Sequence, residues 1–344
     1  MTAKPSLLER LNQGSVIGAE GYLFEMERRG YLKAGAYVPE VVLDYPDALR
    51  QLHREFLRAG SDIMLAFTYY GHREKMKTIG REQDLEDLNH QAVKIAQEIA
   101  AEGDALVAGN ISNTWVYDPD NPAETAPLAY NIFAEQVRWA IDKGVDFVLA
   151  ETIDSWGEAR EALKAIKKFD LPAVVMLASL GDTTRDGLSY AEACQRLEQD
   201  GADVVGLNCT RGPDTMLPII REIRDSVRTH VAAVPVTYRT TPEQPIFQEL
   251  KEPGKPRAFP IELDPFEHTR SEMGDFARQC RQIGVNYIGT CCGAGPHHVR
   301  AIAEALGRTV PASRYSPDLS QHAMLGKDVH DHNKSFMSHW KDRE

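Results

Sequence analysis

Short runs of apolar and β-branched residues recur along the whole chain, without the alternating polar positions of a strand that has one solvated face. Runs of this kind predict strands of a parallel sheet, which is buried on both faces. Eight such runs are present, at residues 15–20, 62–67, 105–110, 146–151, 172–179, 203–209, 231–238 and 286–292.

The segments between these strands carry apolar residues at helical spacing, and several end in glycine, a common helix C-terminal signal. The clearest are residues 47–60, 88–103, 133–144, 159–169, 190–201 and 273–284. Alternation of strand and helix indicates the α/β class, and eight such units predict a single (β/α)₈ TIM barrel over residues 1–310. An open doubly wound sheet is the alternative.

The chain becomes polar after residue 310, with no clear strand or long helix. We expect residues 311–344 to form a C-terminal extension. Phe336 and Trp340 stand four residues apart, a spacing that would give a short helix an apolar stripe. Such a stripe could pack on a neighbouring subunit, so the extension is a candidate oligomerisation segment in a homo-oligomer.

Composition narrows the classes of protein. The chain has 344 residues, 42% hydrophobic and 26% charged, as in ordinary soluble globular proteins. A formal charge of −12 disfavours nucleic acid and anionic membranes as partners. The N-terminal residues lack a signal-peptide pattern, and no run of about 18 apolar residues occurs. We therefore expect a cytoplasmic protein with reduced cysteines.

Polar residues follow the apolar cores of the predicted strands, where a barrel of this kind carries its chemistry. They are Glu20, residues 68–70, Asn110, Glu151, Ser179, Cys209, Tyr238, Cys291 and Cys292. Strand ends are polar in most proteins, which explains the presence of most of these residues one by one. It does not explain why three of them are cysteines.

Cys209, in GLNC, and the pair Cys291 and Cys292, in GTCCGAGP, predict a zinc site. Three thiolates with an open fourth position are typical of a catalytic zinc. Buried core cysteines and a disulfide between the adjacent pair are the alternatives, the latter strained. Adjacent strand residues point to opposite faces, so the chain must turn at Cys291 for both to reach one metal. Gly293, Gly295 and Pro296 favour such a turn.

A zinc ion with three thiolates is a poor Lewis acid toward a carbonyl but suits a soft fourth ligand. A substrate thiol, whose pKa is ordinarily about 8.5, loses its proton on such a metal and remains nucleophilic. The ligand set therefore favours alkyl transfer to sulfur over hydrolysis.

Longer motifs carry a resemblance to a known family. They are LLERLNQG near the start, RRGYLKAGAY at 28–37, LRQLHREFLRAGSD at 49–62, AEGDALVAG at 101–109, GLNC at 206–209 and GVNYIGTCCGAGPHHVRAIAE at 284–304. The chain resembles the zinc-dependent homocysteine S-methyltransferases, and within them the enzymes that use betaine. This resemblance implies a (β/α)₈ barrel with zinc on Cys209, Cys291 and Cys292.

The resemblance also implies substrate contacts. Glu151 matches the glutamate that binds the amino group of homocysteine, and Tyr70 matches a tyrosine near the open zinc position. Tyr37 stands where the betaine enzymes have a tryptophan of the betaine site, and an aromatic ring can bind an onium group.

Three departures from the betaine enzymes concern substrate binding. Their Asp-Gly-Gly after the first strand is replaced by Ala19-Glu20-Gly21, which makes Glu20 and Gly21 the candidate contacts there. Leu65 and Ala66 replace a polar Gln and Thr, and Thr152 replaces a tyrosine.

Three functions remain open. The first is methyl transfer from a betaine-like onium donor to the zinc-bound thiol of homocysteine, forming methionine in a biosynthetic role. The second keeps the zinc chemistry with another thiol acceptor, or with a sulfonium or other N-methyl betaine donor. The third is a non-catalytic binding protein with structural zinc, which needs a fourth ligand; His297 and His298 are the candidates. The expected partners are a small-molecule thiol and an onium donor, with neither nucleic acid nor membrane.

Overall fold

Eight parallel strands form the centre of the computed structural model, which describes residues 4–327 and 330–341. Each predicted run overlaps one of them, and three of the strands extend one or two residues beyond the predicted run. They are β1 (Val16–Ala19), β2 (Ile63–Leu65), β3 (Leu106–Ser112), β4 (Phe147–Ile153), β5 (Ala173–Leu177), β6 (Val204–Asn208), β7 (His230–Val234) and β8 (Tyr287–Thr290).

Helices lie between the strands and cover the outside of the sheet. They are α1 (Leu7–Gln13), α2 (Tyr22–Arg28), α3 (Val41–Asp44), α4 (Pro46–Ala59), α5 (Arg73–Met76), α6 (Leu85–Ala100), α7 (Pro122–Lys143), α8 (Trp156–Lys167), α9 (Tyr190–Gln199), α10 (Pro213–Ser226), α11 (Arg270–Gln282), α12 (Pro296–Ala305) and α13 (Asp331–Lys341).

The sheet curls into a nearly closed barrel. Parallel ladders run in the order β1-β8-β7-β6-β5-β4-β3-β2, so only β1 and β2 lack a ladder between them. At that seam the Asp62 amide donates to the Ile17 carbonyl at 2.8 Å, and the Ile17 amide donates to the Asp62 carboxylate at 2.7 Å. The TIM-barrel prediction is confirmed, and the open doubly wound alternative is wrong.

Amphipathic helices explain how the outer layer packs on the barrel. In α4, Leu49, Leu52 and Phe56 are fully buried, and these positions recur at helical spacing on one face. The helix begins with Pro46, whose missing N–H costs nothing in the first turn, and ends at Ala59, followed by Gly60 in the left-handed conformation. The loops at the carboxyl ends of the strands are thereby left free to carry a site.

The C-terminal segment after α12 contains short 3₁₀ turns and then α13. The expected short helix is therefore present, with Phe336 on it and 48% exposed. The side chain of Trp340 lies outside the described residues, so the predicted stripe stays a prediction. The division at residue 310 and the role of this segment in assembly also stay predictions.

No helix in the described part of the chain is both long enough and apolar enough to span a bilayer.

Candidate active site

A cavity of about 290 Å³ opens at the carboxyl ends of the strands. All eight strands or their following loops contribute to its wall, through Glu20, Tyr69, Asn113, Glu151, Ala178, Cys209, Phe247 and Cys291 respectively. Much of the wall is aromatic, supplied by Tyr37, Tyr70, Trp115, Phe247 and Phe259 among others. This is the end of the barrel at which enzymes of this fold place their chemistry.

Backbone strain is concentrated at this cavity. Among the described residues, the non-glycine residues with positive φ are Tyr37, Tyr70, Trp115, Thr152, Cys209 and Thr210. All of them line the cavity wall. Such conformations cost of order 1–3 kcal/mol each and collect where a structure must hold particular groups in place. Their clustering marks a functional site independently of sequence motifs.

The three cysteines meet on one side of the cavity. The Sγ atom of Cys292 lies 3.6 Å from that of Cys209 and 3.9 Å from that of Cys291. Three sulfurs at about 2.3 Å from a tetrahedral zinc stand about 3.8 Å apart. The cluster therefore has the dimensions of a metal site, without a disulfide.

A turn after β8 brings the two adjacent cysteines together, as the sequence required. The Ala294 amide donates to the Cys291 carbonyl at 3.2 Å, and Gly293 has φ +87°. A Cβ atom at Gly293 would lie 2.5 Å from Cζ of Tyr238, so only glycine fits this turn. Arg28 also binds here, donating to the Gly293 carbonyl at 3.1 Å.

Interactions within the cluster shift the pKa values of its thiols in opposite directions. Hydrogen bonds from Cys291 and Cys292 lower the pKa of Cys209 well below its ordinary value, while the pKa of Cys291 is raised by its interactions with the other two thiols and by burial. All three sulfurs can be negative in this buried place only with a cation between them, and a divalent metal ion is the cation that thiolates bind.

Glu151 is fixed in the cavity by two asparagines. Asn110 donates to its Oε1 atom at 2.7 Å, and Asn208 donates to its Oε2 atom at 2.8 Å. Burial raises the pKa of Glu151 to about 7, against the lowering effect of the Asn110 hydrogen bond. The carboxylate is thus oriented rigidly, with its remaining lone pairs toward the cavity.

Glu20 stands beside this group and is 8% exposed. Oxygens of Glu20 and Glu151 and the Cys291 sulfur all lie within 4.8 Å of one another. Neither oxygen of Glu20 has a hydrogen-bond partner among the described residues. Burial, with the charges of Glu151 and Cys209, raises its pKa well above the ordinary range. A bound cation between the two carboxyl groups would supply both missing partners.

Of the other predicted site residues, some line the cavity and one does not. Tyr37 and Tyr70 line the cavity, whereas Gly21 does not. A Cβ atom at Gly21 would lie 2.2 Å from the Ala294 carbonyl oxygen, so this glycine lets the end of β1 approach the cysteine turn. Its role as a substrate contact stays a prediction.

Residues at several predicted strand ends support the wall from behind. Asn110 orients Glu151, and Tyr238 packs under Gly293 and accepts a hydrogen bond from Arg28. Ser179 is fully buried, 3.5 Å from the Thr210 hydroxyl. None of Asn110, Ser179 and Tyr238 is on the cavity wall.

The positions that depart from the betaine enzymes also lie here. Leu65 and Thr152 line the cavity, and Ala66, which follows Leu65 in the chain, is fully buried. Thr152 is held by Asn208, which accepts from its amide at 2.7 Å and donates to its hydroxyl at 2.9 Å.

Sequence reasoning does not find several residues of the aromatic wall. Trp115 follows β3 in a loop, and Phe247 and Phe259 lie in the long connection between β7 and α11. Irregular loops have no periodicity to read. The one indication in the sequence was the position of Trp115, three residues after the end of β3.

His297 and His298 do not complete the cysteine cluster. With Glu267 they form a different group of potential ligands. His298 is also engaged on both ring nitrogens, with the Gly295 amide at 3.3 Å and the His268 carbonyl at 3.1 Å. Within the described residues, the cysteine group contains no fourth protein ligand from Cys, His, Asp or Glu.

The sequence profile of homocysteine S-methyltransferases matches residues 20–306, most of the chain. The chain belongs to this family. It is a methyltransferase, and a metal at the three cysteines is consistent with that membership.

Similar proteins of known activity support membership of this family. The chain is 37% identical to betaine–homocysteine S-methyltransferase 1 of Danio rerio, covering 97% of this chain and 83% of the relative. It is 35% identical to S-methylmethionine–homocysteine S-methyltransferase of Pongo abelii, covering 97% and 90%.

A solved structure supports the fold. The homocysteine methyltransferase MmuM of Escherichia coli, in a metallated form, superposes with a TM-score of 0.67 at 16% identity, over 86% of this chain and 97% of that one.

Proposed function

We propose that this enzyme transfers a methyl group from a betaine-like onium donor to the thiol of homocysteine, giving methionine and the demethylated donor. The observation that carries the proposal is one cavity in which three cysteine sulfurs, two buried carboxyl groups and an aromatic wall face one another. Each of these parts suits a different portion of the two substrates.

Zinc is the proposed metal, on Cys209, Cys291 and Cys292. The sulfur spacing of 3.6 Å and 3.9 Å fits its radius, and its preference for thiolates fits the donor set. When bound, zinc lowers the pKa of a thiol ligand and leaves its sulfur nucleophilic.

Glu151 and Glu20 are the proposed contacts of the acceptor's ammonium group. Glu151 is already oriented by Asn110 and Asn208, and Glu20 offers two oxygens without partners. Both carboxyl groups lie within 4.8 Å of the Cys291 sulfur. The ammonium group would therefore be held a short distance from the sulfur of the same molecule, as in a compact amino-acid thiol.

The donor's onium group would lie against the aromatic wall that includes Tyr37 and Tyr70. Rings attract such cations by about 0.5–2 kcal/mol, more when water is excluded. The sulfur–carbon bond forms as the carbon–nitrogen bond breaks, and the electron pair of that bond remains on nitrogen. Reacting atoms held about 3–3.5 Å apart and in line supply much of the rate increase.

A sulfonium donor is the second candidate, because one curated relative is named for S-methylmethionine. A different thiol acceptor also stays in the proposal, since Leu65 makes the wall apolar where the betaine enzymes are polar. A purely structural zinc is disfavoured by the lack of a fourth Cys, His, Asp or Glu in the described cysteine cluster. We further propose a cytoplasmic homo-oligomer with no nucleic-acid or membrane partner, in keeping with a charge of −12.

The test is a transfer assay with deuterium-labelled methyl donors. Zinc-loaded protein is incubated with L-homocysteine and, separately, with glycine betaine, S-methylmethionine or dimethylsulfoniopropionate. We expect methionine bearing three deuterium atoms with at least one donor, by mass spectrometry. Label absent from methionine with every donor would overturn the proposal, and label on another added thiol would replace the acceptor.

A further inference from the structure

Lys75 stands at the edge of the proposed donor site. It belongs to α5, directly after the loop that carries Tyr70, and is 8% exposed. Its Nζ atom lies 4.4 Å from the ring centroid of Tyr70 and 4.5 Å from that of Trp115. These two rings meet edge to face at 5.7 Å and both line the cavity. The ammonium group therefore lies in a notch beside these two rings, just outside the cavity that they line.

This ammonium group has no anionic partner. Among the described residues, no hydrogen bond or ion pair reaches Nζ of Lys75. The neighbouring Lys77, in contrast, contacts Glu74 at 3.0 Å. Burial alone lowers the pKa of Lys75, with no carboxylate to oppose it. A cation held only by ring faces is free to accept an anion as a further partner.

The cavity wall carries no basic side chain from the described residues, and Lys75 lies just outside it. The charged residues of the wall, apart from the cysteines, are Glu20, Glu151 and Asp154. A ligand that carried only positive charge would find acids and rings there. A ligand that also carried a carboxylate would find the ammonium group of Lys75 next to the aromatic faces that suit its onium group.

We propose that Lys75 binds the carboxylate of the methyl donor and so makes a betaine a better donor than an onium compound without a carboxylate. The onium group lies against the cavity faces of the rings, and the carboxylate reaches the notch beside Tyr70 and Trp115. This inference rests on the methyl transfer proposed above and specifies which onium compounds are used.

The experiment compares glycine betaine with its carboxamide, which keeps the trimethylammonium group and replaces the carboxylate by a neutral amide. Dimethylsulfoniopropionate and its carboxamide form a second pair. Initial rates of methyl transfer to homocysteine give KM and kcat for wild type, Lys75→Met and Lys75→Arg. Lys77→Met is the matched control. It removes an equal charge two residues along the chain from Lys75, and Lys77 belongs to an exposed ion pair with Glu74.

We expect Lys75→Met to raise KM about tenfold or more for the carboxylate donors and to leave KM for the carboxamides within about twofold. Lys75→Arg should restore most of the difference, and Lys77→Met should change neither KM. A merely structural role for Lys75 would raise KM equally for both members of a pair. That result, or no effect on either, overturns the inference while leaving the proposed function intact. No transfer from any onium compound in wild type would overturn both.

Discussion

At the scale of single residues, the site consists of groups that a protein core ordinarily excludes. Glu20 and Glu151 are buried side by side, and Cys209 lies with two further thiols. Two like charges at this distance cannot both persist without a cation. Two cations would meet this need: the proposed metal at the sulfurs and the acceptor's ammonium group at the carboxylates. The resting site is thus completed by what it binds.

Replacing one cysteine tests the metal assignment. Cys209→Ala removes one of three proposed ligands, so we expect bound zinc to fall below about one tenth of an equivalent after dialysis, with transfer activity lost. Metal content is measured by plasma mass spectrometry. The control is Cys194→Ala, because Cys194 is also fully buried but lies in α9, outside the cluster. Full zinc content in Cys209→Ala would contradict the assignment.

Single residues were predictable from sequence where strand geometry places them. Cys209 and Glu151 come at strand ends, and a barrel brings all strand ends to one face. Trp115 and Phe247 reach the same cavity from irregular loops, whose course depends on tertiary packing. The free carboxylate of Glu20 and the notch around Lys75 required side-chain positions, which no pattern of residue types specifies.

At the scale of elements, the turn after β8 decides whether two adjacent cysteines can face one metal. Gly293 provides a left-handed residue at the point where Tyr238 and Thr237 leave no room for a side chain. We expect Gly293→Ala to weaken zinc binding at least tenfold and to reduce the free energy of unfolding by about 2–4 kcal/mol. Competition with a chromogenic chelator and urea unfolding measure the two effects.

Gly307→Ala separates the clash from the backbone strain. Gly307 also has positive φ, at +85°, but a Cβ atom there would meet nothing within 4 Å. This variant should lose about 1 kcal/mol of stability and bind zinc normally. Equal zinc affinity in Gly293→Ala and Gly307→Ala would show that the turn is not what positions the cysteines.

Element prediction succeeded where the apolar pattern was uninterrupted. All eight strands were located, because buried parallel strands are continuous apolar runs. Only the second half of α7 was predicted, since Pro127 lies inside the observed helix and proline ordinarily ends one. For the same reason α10 was not predicted, because it contains Pro218 in addition to the proline of its first turn.

At the scale of the whole molecule, the barrel does not depend on the metal for its core. Buried apolar residues from every strand and most helices form one continuous cluster. Removal of zinc by a chelator should therefore abolish methyl transfer while leaving far-UV circular dichroism unchanged, with a melting temperature lower by a few degrees. Added zinc should restore activity. Unfolding on chelation would instead assign the metal a structural role.

Assembly is expected to involve the C-terminal segment. Three large apolar side chains of this segment are each at least 60% exposed: Tyr315, Leu319 and Leu325. Exposed apolar residues that occur close together favour a contact with another protein surface. We expect an oligomer by light scattering at micromolar concentration, and a smaller species after deletion of residues 311–344. A full-length monomer at all concentrations would contradict the homo-oligomer proposal.

The most direct test of the whole account is calorimetric titration of the zinc-loaded protein with L-homocysteine, in buffers of different ionisation enthalpy to count released protons. We predict saturable binding with proton release near neutral pH, as a thiol becomes a thiolate, and affinity at least tenfold weaker in Glu151→Ala. Glu161→Ala is the matched control, because Glu161 pairs with Lys164 within α8 and does not line the cavity. Absence of binding by protein that holds one zinc would contradict homocysteine as the acceptor, and unchanged affinity in Glu151→Ala would contradict the amino-group site.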